Sequence, residues 1–84
     1  MSFRFRVNKV WHYPQHGICH AIGIVEEGKI LPPVRARIAE HPGETIRIDS
    51  QALGGPLPNR QITLVVSGVI GEPHALEGCL LCDE

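Results

Sequence analysis

The sequence lacks a large net charge, a long apolar run and a signal peptide. Its 84 residues carry a formal net charge of −1, so no overall excess of charge favours nucleic acid or an anionic membrane. No apolar run approaches the roughly 20 residues that a membrane-spanning helix needs. The first ten residues also lack the continuous apolar core of a signal peptide. We therefore expect a cytoplasmic protein with no membrane partner.

Cysteines are few, and their number is odd. Three cysteines cannot all pair within one chain, which favours free thiols in a reducing compartment. Hydrophobic residues make up 43% of the chain and charged residues 20%, a composition typical of a globular protein rather than a disordered one. A chain of this length forms one domain with a modest core, so we treat residues 1–84 as a single unit.

Glycine and proline interrupt the chain at short intervals, which leaves segments suited to the strands of a sandwich or barrel. FRFRV, VRARI and TIRID alternate between apolar and charged residues, as strands with one buried face do. ITLVVSGVI is nearly continuous in apolar and β-branched residues, which predicts the most buried strand. Only DSQALGG is compatible with a short helical turn. The predicted core residues are Phe5, Ile38, Ile48, Leu64 and Val66.

The stretch VNKVWHYPQHGICHAIGIV departs from this regular alternation. Val7 and Val10 have opposite parity, so both can face the core only if a β-bulge lies between them. Gly17 stands where a tight turn would require a positive φ. The stretch therefore predicts a β-hairpin with its tip at about residues 13–17.

Several glycine-containing motifs follow one another in an order that resembles a known family. GIVEEGKI has the form G-x-V-E-x-G-x-I and follows a V-x-x-V-aromatic strand that ends at Trp11. LVVSGV and LEGCLL come later in the chain. This order resembles the second domain of translational GTPases, the barrel of elongation factor Tu and its relatives, over about residues 3–82. The fold that we expect is all-β: a small closed or nearly closed Greek-key barrel of about six mostly antiparallel strands.

The chain also departs from that family in ways that bear on function. It has no G-x-x-x-x-G-K-[ST] motif and hence no GTPase domain, and Pro32–Pro33 stands where the family usually has glycine. The family barrel is not catalytic; it helps to hold the aminoacyl end of tRNA in elongation factor Tu and contacts RNA or neighbouring domains in other members. The acidic residues beside the family's aminoacyl pocket correspond to Asn8 and Lys9 here, and only the aromatic position, Trp11, is kept. The resemblance thus implies a stand-alone, non-catalytic binding module for RNA or a protein partner.

The alternative is a structural protein that associates with itself. Ile22, Ile24 and Ile30 cannot all face one small core together with Ala21 and Val25. Some of these side chains would remain on the surface, as they do at an interface. A binding module would be monomeric, whereas a structural protein of this kind would be a homo-oligomer.

The stretch HYPQHGICH packs three histidines and a cysteine into nine residues. With the later CLLC, the candidate zinc ligands are His12, His16, Cys19, His20, Cys79 and Cys82. Residues one or three apart on a strand point to opposite faces, so neither Cys19–His20 nor CLLC can direct two ligands at one ion. The same geometry separates a cysteine nucleophile from a histidine base. We therefore expect no metal, no cofactor and no enzymatic activity, although imidazoles at the turn could acquire zinc or nickel adventitiously.

Arginine dominates the basic residues and recurs within the predicted strands. The arginines in these positions are Arg4, Arg6, Arg35, Arg37 and Arg47. With FRFRV and VRARI on neighbouring strands or on one continuous surface, their arginines would form a basic stripe suited to phosphate or carboxylate. Together with Trp11, these arginines are the candidate residues for binding RNA or a protein partner. Alternatively, they form ordinary cross-strand ion pairs or cover apolar surface with their aliphatic stems.

Overall fold

The computed structural model describes residues 2–52, 60–68 and 72–84, and these form a closed antiparallel barrel. Its strands are β1 (Phe3–Tyr13), β2 (Ile18–Gly28), β3 (Val34–Ile38), β4 (Thr45–Ala52), β5 (Ile62–Ser67) and β6 (Leu80–Asp83). They are arranged in the order β1–β2–β5–β4–β3–β6, and β6 pairs with β1 to close the ring. β5 returns to lie beside β2 after the β3–β4–β5 meander, which is a Greek-key connection. The predicted all-β Greek-key barrel is confirmed.

The alternating segments form strands because their apolar side chains can all enter one interior. In β1, Phe3, Phe5 and Val7 are buried, whereas Arg4 between them is exposed. The same alternation places Ala36 and Ile38 of β3, and Ile46 and Ile48 of β4, in the core. The five residues predicted to form the core are each exposed by 5% or less: Phe5, Ile38, Ile48, Leu64 and Val66.

The irregular stretch between the first two strands forms the predicted hairpin. Asn8 is an extra residue in β1, because Val7 pairs with Gly23 while Lys9 pairs with Ile22. This bulge lets both Val7 and Val10 enter the core, as their opposite parity required. Residues 14–17 form the turn, and Gly17 has the expected positive φ of 66°.

Two expectations from the sequence are wrong. β5 is not the most buried strand, since Val65 is only half-buried on its outer side, whereas Leu80, Leu81 and Cys82 of β6 are all buried. Leu81 on the inner face of β6 belongs to the core, and Leu80 and Cys82 on its outer face are buried as well. The segment DSQALGG does not begin as a helical turn, because Asp49–Ala52 continues β4; its remaining residues lie outside the described chain. The sequence analysis also missed the 3₁₀ helix at Pro73–Leu76, which packs beside β1.

Candidate binding surfaces

The arginines of FRFRV and VRARI do not lie on neighbouring strands, since β6 separates β1 from β3. Three of them, Arg4, Arg6 and Arg37, nevertheless lie around the outer side of β6, whereas Arg35 lies with Arg47. Arg4 of β1 and Arg37 of β3 both stand directly opposite Cys82, one on each side. Arg6 stands opposite Leu80. The five arginines therefore divide into one group around β6 and a second pair formed by Arg35 and Arg47.

The arginines around β6 flank two apolar side chains that are themselves buried, and we infer that the aliphatic stems of the arginines cover them. Directly opposite residues of antiparallel strands point to the same face, so Leu80 and Cys82 point outward with the arginines. They are nevertheless only 4% and 5% exposed. Arg6 is held beside them, because its Nη1 donates to Gly78 O at 3.0 Å and to Glu40 Oε2 at 3.3 Å. We name these arginines, Arg4, Arg6 and Arg37, the arginine cover.

Most of the candidate arginines already have a carboxylate neighbour. The ion pairs are Arg4–Glu27 at 3.9 Å, Arg6–Glu26 at 3.5 Å, Arg35–Glu84 at 3.5 Å and Arg47–Asp49 at 2.9 Å. Exposed pairs of this kind add roughly 0–1 kcal/mol each to stability. Their larger effect here is to reduce the positive potential that a basic stripe would offer to RNA. Within the described chain, Arg37 alone among the five has no such pair.

Trp11 belongs to a different surface, the outer side of the β1–β2 hairpin. Its side chain is 50% exposed and lies opposite His20, while Tyr13 is 41% exposed. The rings of Tyr13 and His20 meet with centroids 4.7 Å apart. Lys9 Nζ lies 4.5 Å from the centroid of the Trp11 ring, within cation–π distance. We call Lys9, Trp11, Tyr13 and His20 the aromatic face.

Apolar side chains extend the aromatic face along β2 and onto β5. Ile22 and Ile24 follow His20 on the outer side of β2, and Val65 of β5 stands opposite His20. Ile24 is 38% exposed, whereas Ile22, Ile30 and Val65 are half-buried. The expectation that some isoleucines remain at the surface is confirmed for Ile24. The tilted Tyr13 and His20 rings, the exposed Trp11 and the neighbouring isoleucines thus form a mostly apolar surface on the outer side of the hairpin.

The sequence analysis missed most of the aromatic face, although two signals were present. Lys9, Trp11 and Tyr13 are two residues apart in KVWHY, so a strand places them on one side. The first 25 residues contain no aspartate or glutamate, although the whole chain has nine. A carboxylate from a distant segment, Glu77, reaches this strand, where its Oε2 accepts the Val10 N–H at 3.0 Å. This backbone hydrogen bond, followed by His74, lowers the pKa of Glu77.

The cysteines and histidines do not converge. Cys19 points into the core and His20 points outward, while His12 and His16 are exposed near the hairpin turn. Cys79 lies in the core and donates from Sγ to Ala75 O at 3.2 Å, whereas Cys82 lies under the arginine cover. In the described residues, no group of three or more His, Cys, Asp or Glu side chains is placed to hold a metal ion. Burial raises the pKa of the Cys19 thiol and of the Cys79 thiol, which disfavours a nucleophilic thiolate at either residue.

Comparison with protein-family models finds no match, and comparisons with curated proteins and with solved structures find none either. Within the part of the chain that the structure describes, no helix is both long and apolar enough to cross a bilayer. The function is therefore inferred from the surfaces of the barrel itself.

Proposed function

We propose that this barrel is a non-catalytic module that binds single-stranded RNA on its aromatic face. The observation that carries the proposal is the exposure of Trp11 and Tyr13 on one side of a strand, beside His20 and Lys9. Unpaired bases stack on such rings, and a neighbouring cation attracts the phosphates. The resemblance to the second domain of translational GTPases, a family whose members contact RNA, supports the same class of ligand.

The spacing and charge of the aromatic face favour a nucleic-acid strand over a protein partner. Trp11 and Tyr13 are two residues apart, which separates them by about 7 Å along β1 and leaves room for a base on each ring. The first 25 residues contain no acidic side chain, so that segment places no carboxylate against Lys9; Glu77, from a distant segment, is the acidic residue that interacts with it. An acidic protein surface would use the charge but would make no specific use of the exposed aromatic rings.

The direct test is the fluorescence of Trp11, the one tryptophan in the chain. An unstructured oligouridylate should quench it saturably at low salt. Replacing Tyr13 with Ala should weaken binding by about 1–3 kcal/mol, the usual contribution of one stacked base. Arg6→Gln is the matched control, because its guanidinium is already engaged by Glu26 and Glu40, and it should change the affinity little.

The salt dependence separates the aromatic face from an arginine stripe. Each phosphate contact to a single strand contributes a slope of about −0.7 to log K against log salt. Lys9 alone therefore gives a shallow slope of about that size, whereas contacts from Arg4, Arg6, Arg35 and Arg37 would give about −3.

Two results would overturn the proposal. The first is unchanged fluorescence with oligouridylate at low salt. The second is a concentration-dependent dimer in sedimentation that Ile24→Asp dissociates, which would make the same surface a self-association interface.

A further inference from the structure

The second pair of arginines lies on β3 and β4, across the barrel from the β1–β2 hairpin. Arg35 of β3 and Arg47 of β4 stand directly opposite each other in the antiparallel ladder. Opposite side chains share one face, with Cβ atoms about 4.5–5.5 Å apart, and two like charges there destabilise the pairing. The arrangement therefore favours an anion held between the two side chains.

The carboxylates that face this pair leave most of its hydrogen-bond donors available. Arg47 Nε lies 2.9 Å from Asp49 Oδ1, and Arg35 Nε lies 3.5 Å from Glu84 Oε1. Arg35 Nη2 donates to Thr45 Oγ1 at 3.1 Å. Each guanidinium has five N–H donors, so other N–H groups of both side chains can still reach an oxygen ligand.

A groove of about 700 Å³ adjoins the two guanidinium groups. This volume falls within the range typical of small-molecule sites. The lining combines the exposed apolar ring of Pro33 with the hydroxyl of Ser67, while Val34, which also borders the groove, packs mainly against the core. Ser67 pairs with Arg47 across β4 and β5, so its hydroxyl lies on the same outer face as the arginines. The groove thus places cationic donors next to an apolar wall.

We propose that this groove binds a small organic phosphomonoester, with its phosphate held between Arg35 and Arg47. One carboxylate has two oxygens, which a single guanidinium fork can occupy completely. A phosphomonoester has three terminal oxygens and can therefore engage both forks at once. The carbon part of the ligand would lie against Pro33. This site goes beyond the proposed RNA-binding function and uses none of the residues of the aromatic face.

The test is a titration of ¹⁵N-labelled protein at constant ionic strength with n-butyl phosphate, inorganic phosphate and n-butanol. Both phosphates should produce saturable shifts of the Arg35 and Arg47 Nε–H signals and of the Ser67 amide. Butyl phosphate should bind more tightly because of the apolar wall, and butanol should cause no such shift. The double variant Arg35→Gln/Arg47→Gln should weaken butyl phosphate binding by about tenfold or more.

Arg4→Gln serves as the matched control, since Arg4 is also exposed and ion-paired but lies beside β6. It should leave the binding of butyl phosphate unchanged, as should Trp11→Ala, which tests RNA binding separately. Shifts that never saturate, or that persist equally in the double variant, would overturn the proposal. A third result would also overturn it: the Arg35 and Arg47 signals shift with an oligonucleotide that lacks terminal phosphates but not with butyl phosphate. The groove would then be part of an RNA-binding surface.

Discussion

The outer side of β6 and the outer side of the β1–β2 hairpin use apolar residues in opposite ways. On β6, Leu80 and Cys82 point outward yet are only 4% and 5% exposed, because arginines from both neighbouring strands lie beside them. On the hairpin, Trp11 and Ile24 also point outward but remain 50% and 38% exposed. An outward-pointing apolar side chain is therefore not always exposed to solvent. Its exposure depends on the side chains of the adjacent strands.

Two glutamates, one beside β6 and one beside the hairpin, differ in a corresponding way. Glu40 accepts the Leu80 N–H at 2.9 Å and the Arg6 Nη1–H at 3.3 Å, so it joins β6 to its cover. The Leu80 backbone hydrogen bond is the main cause of its lowered pKa, with Arg6 adding to the effect. Glu77 accepts a hydrogen bond from the Val10 backbone of the hairpin, beside the bulge, and also interacts with Lys9, whereas Trp11 and Tyr13 remain exposed. One carboxylate thus stabilises a covered strand, and the other stabilises a strand whose outer side stays open.

The largest difference should come from truncating one outward apolar residue in each region. Leu80→Ala should lower the free energy of unfolding by about 2–5 kcal/mol, as for a buried leucine, despite its position on the outer side. Ile24→Ala should cost far less, because much of its surface is already in water. Urea unfolding of the two variants measures both values. Leu64→Ala, in the core, is the reference, and a Leu80 variant that behaved like the Ile24 variant would refute the arginine cover.

Acidification should distinguish the two glutamates from ordinary surface carboxylates. The pKa values of Glu40 and Glu77 are lowered in the folded protein, so their ionised forms stabilise it. This contribution is present above the ordinary glutamate pKa, about 4.3, and is lost as the pH falls through the lower folded values. Glu40→Gln and Glu77→Gln should each reduce stability at pH 7 and flatten its acid dependence.

Urea midpoints measured at neutral pH and at successively lower pH provide that comparison. Glu44→Gln is the control, since Glu44 is an exposed turn residue near His41. An unchanged pH profile in the Glu40 variant would contradict its role in holding β6.

Removing the arginine cover should expose the outer side of β6 to solvent, as the outer side of the hairpin already is. The double variant Arg4→Ala/Arg37→Ala should expose Cys82 and speed its reaction with a thiol reagent, because the aliphatic stems of the two arginines no longer lie beside it. Mass spectrometry of the modified peptides separates Cys82 from Cys19 and Cys79, which are buried in the core and should react slowly in both proteins. Equal Cys82 rates with and without the arginines would show that something else shields the thiol.

The smallest expected effect is that of metal removal. A strong chelator should leave the circular dichroism and the melting curve unchanged, because we expect neither region to depend on a metal ion. Buffer alone is the control. A transition that collapses on chelation and returns with stoichiometric zinc would revive the cysteine–histidine site.

The sequence predicted the barrel well because its determinants are local. Strict alternation identified the inward Phe5 and Ile48, and the parity of Val7 and Val10 required the bulge. The arginine cover could not be predicted in the same way, because it depends on contacts between distant segments, such as Arg6 with Glu40 and with Gly78 O. In CLLC, both faces of the strand are apolar, so alternation could not show that the outer one would be covered by side chains from β1 and β3.

The position of β6 also affects how the protein can be made. Leu81 pairs with Phe5 on one side and Ile38 on the other, so this four-residue strand joins the two open sides of the sheet. It is also the last of the described strands to be synthesised. At about 5–20 residues per second, the earlier strands wait on the ribosome for seconds with unpaired backbone on β1 and β3. Such edges can pair with other chains, so the nascent protein is most prone to aggregation until β6 emerges.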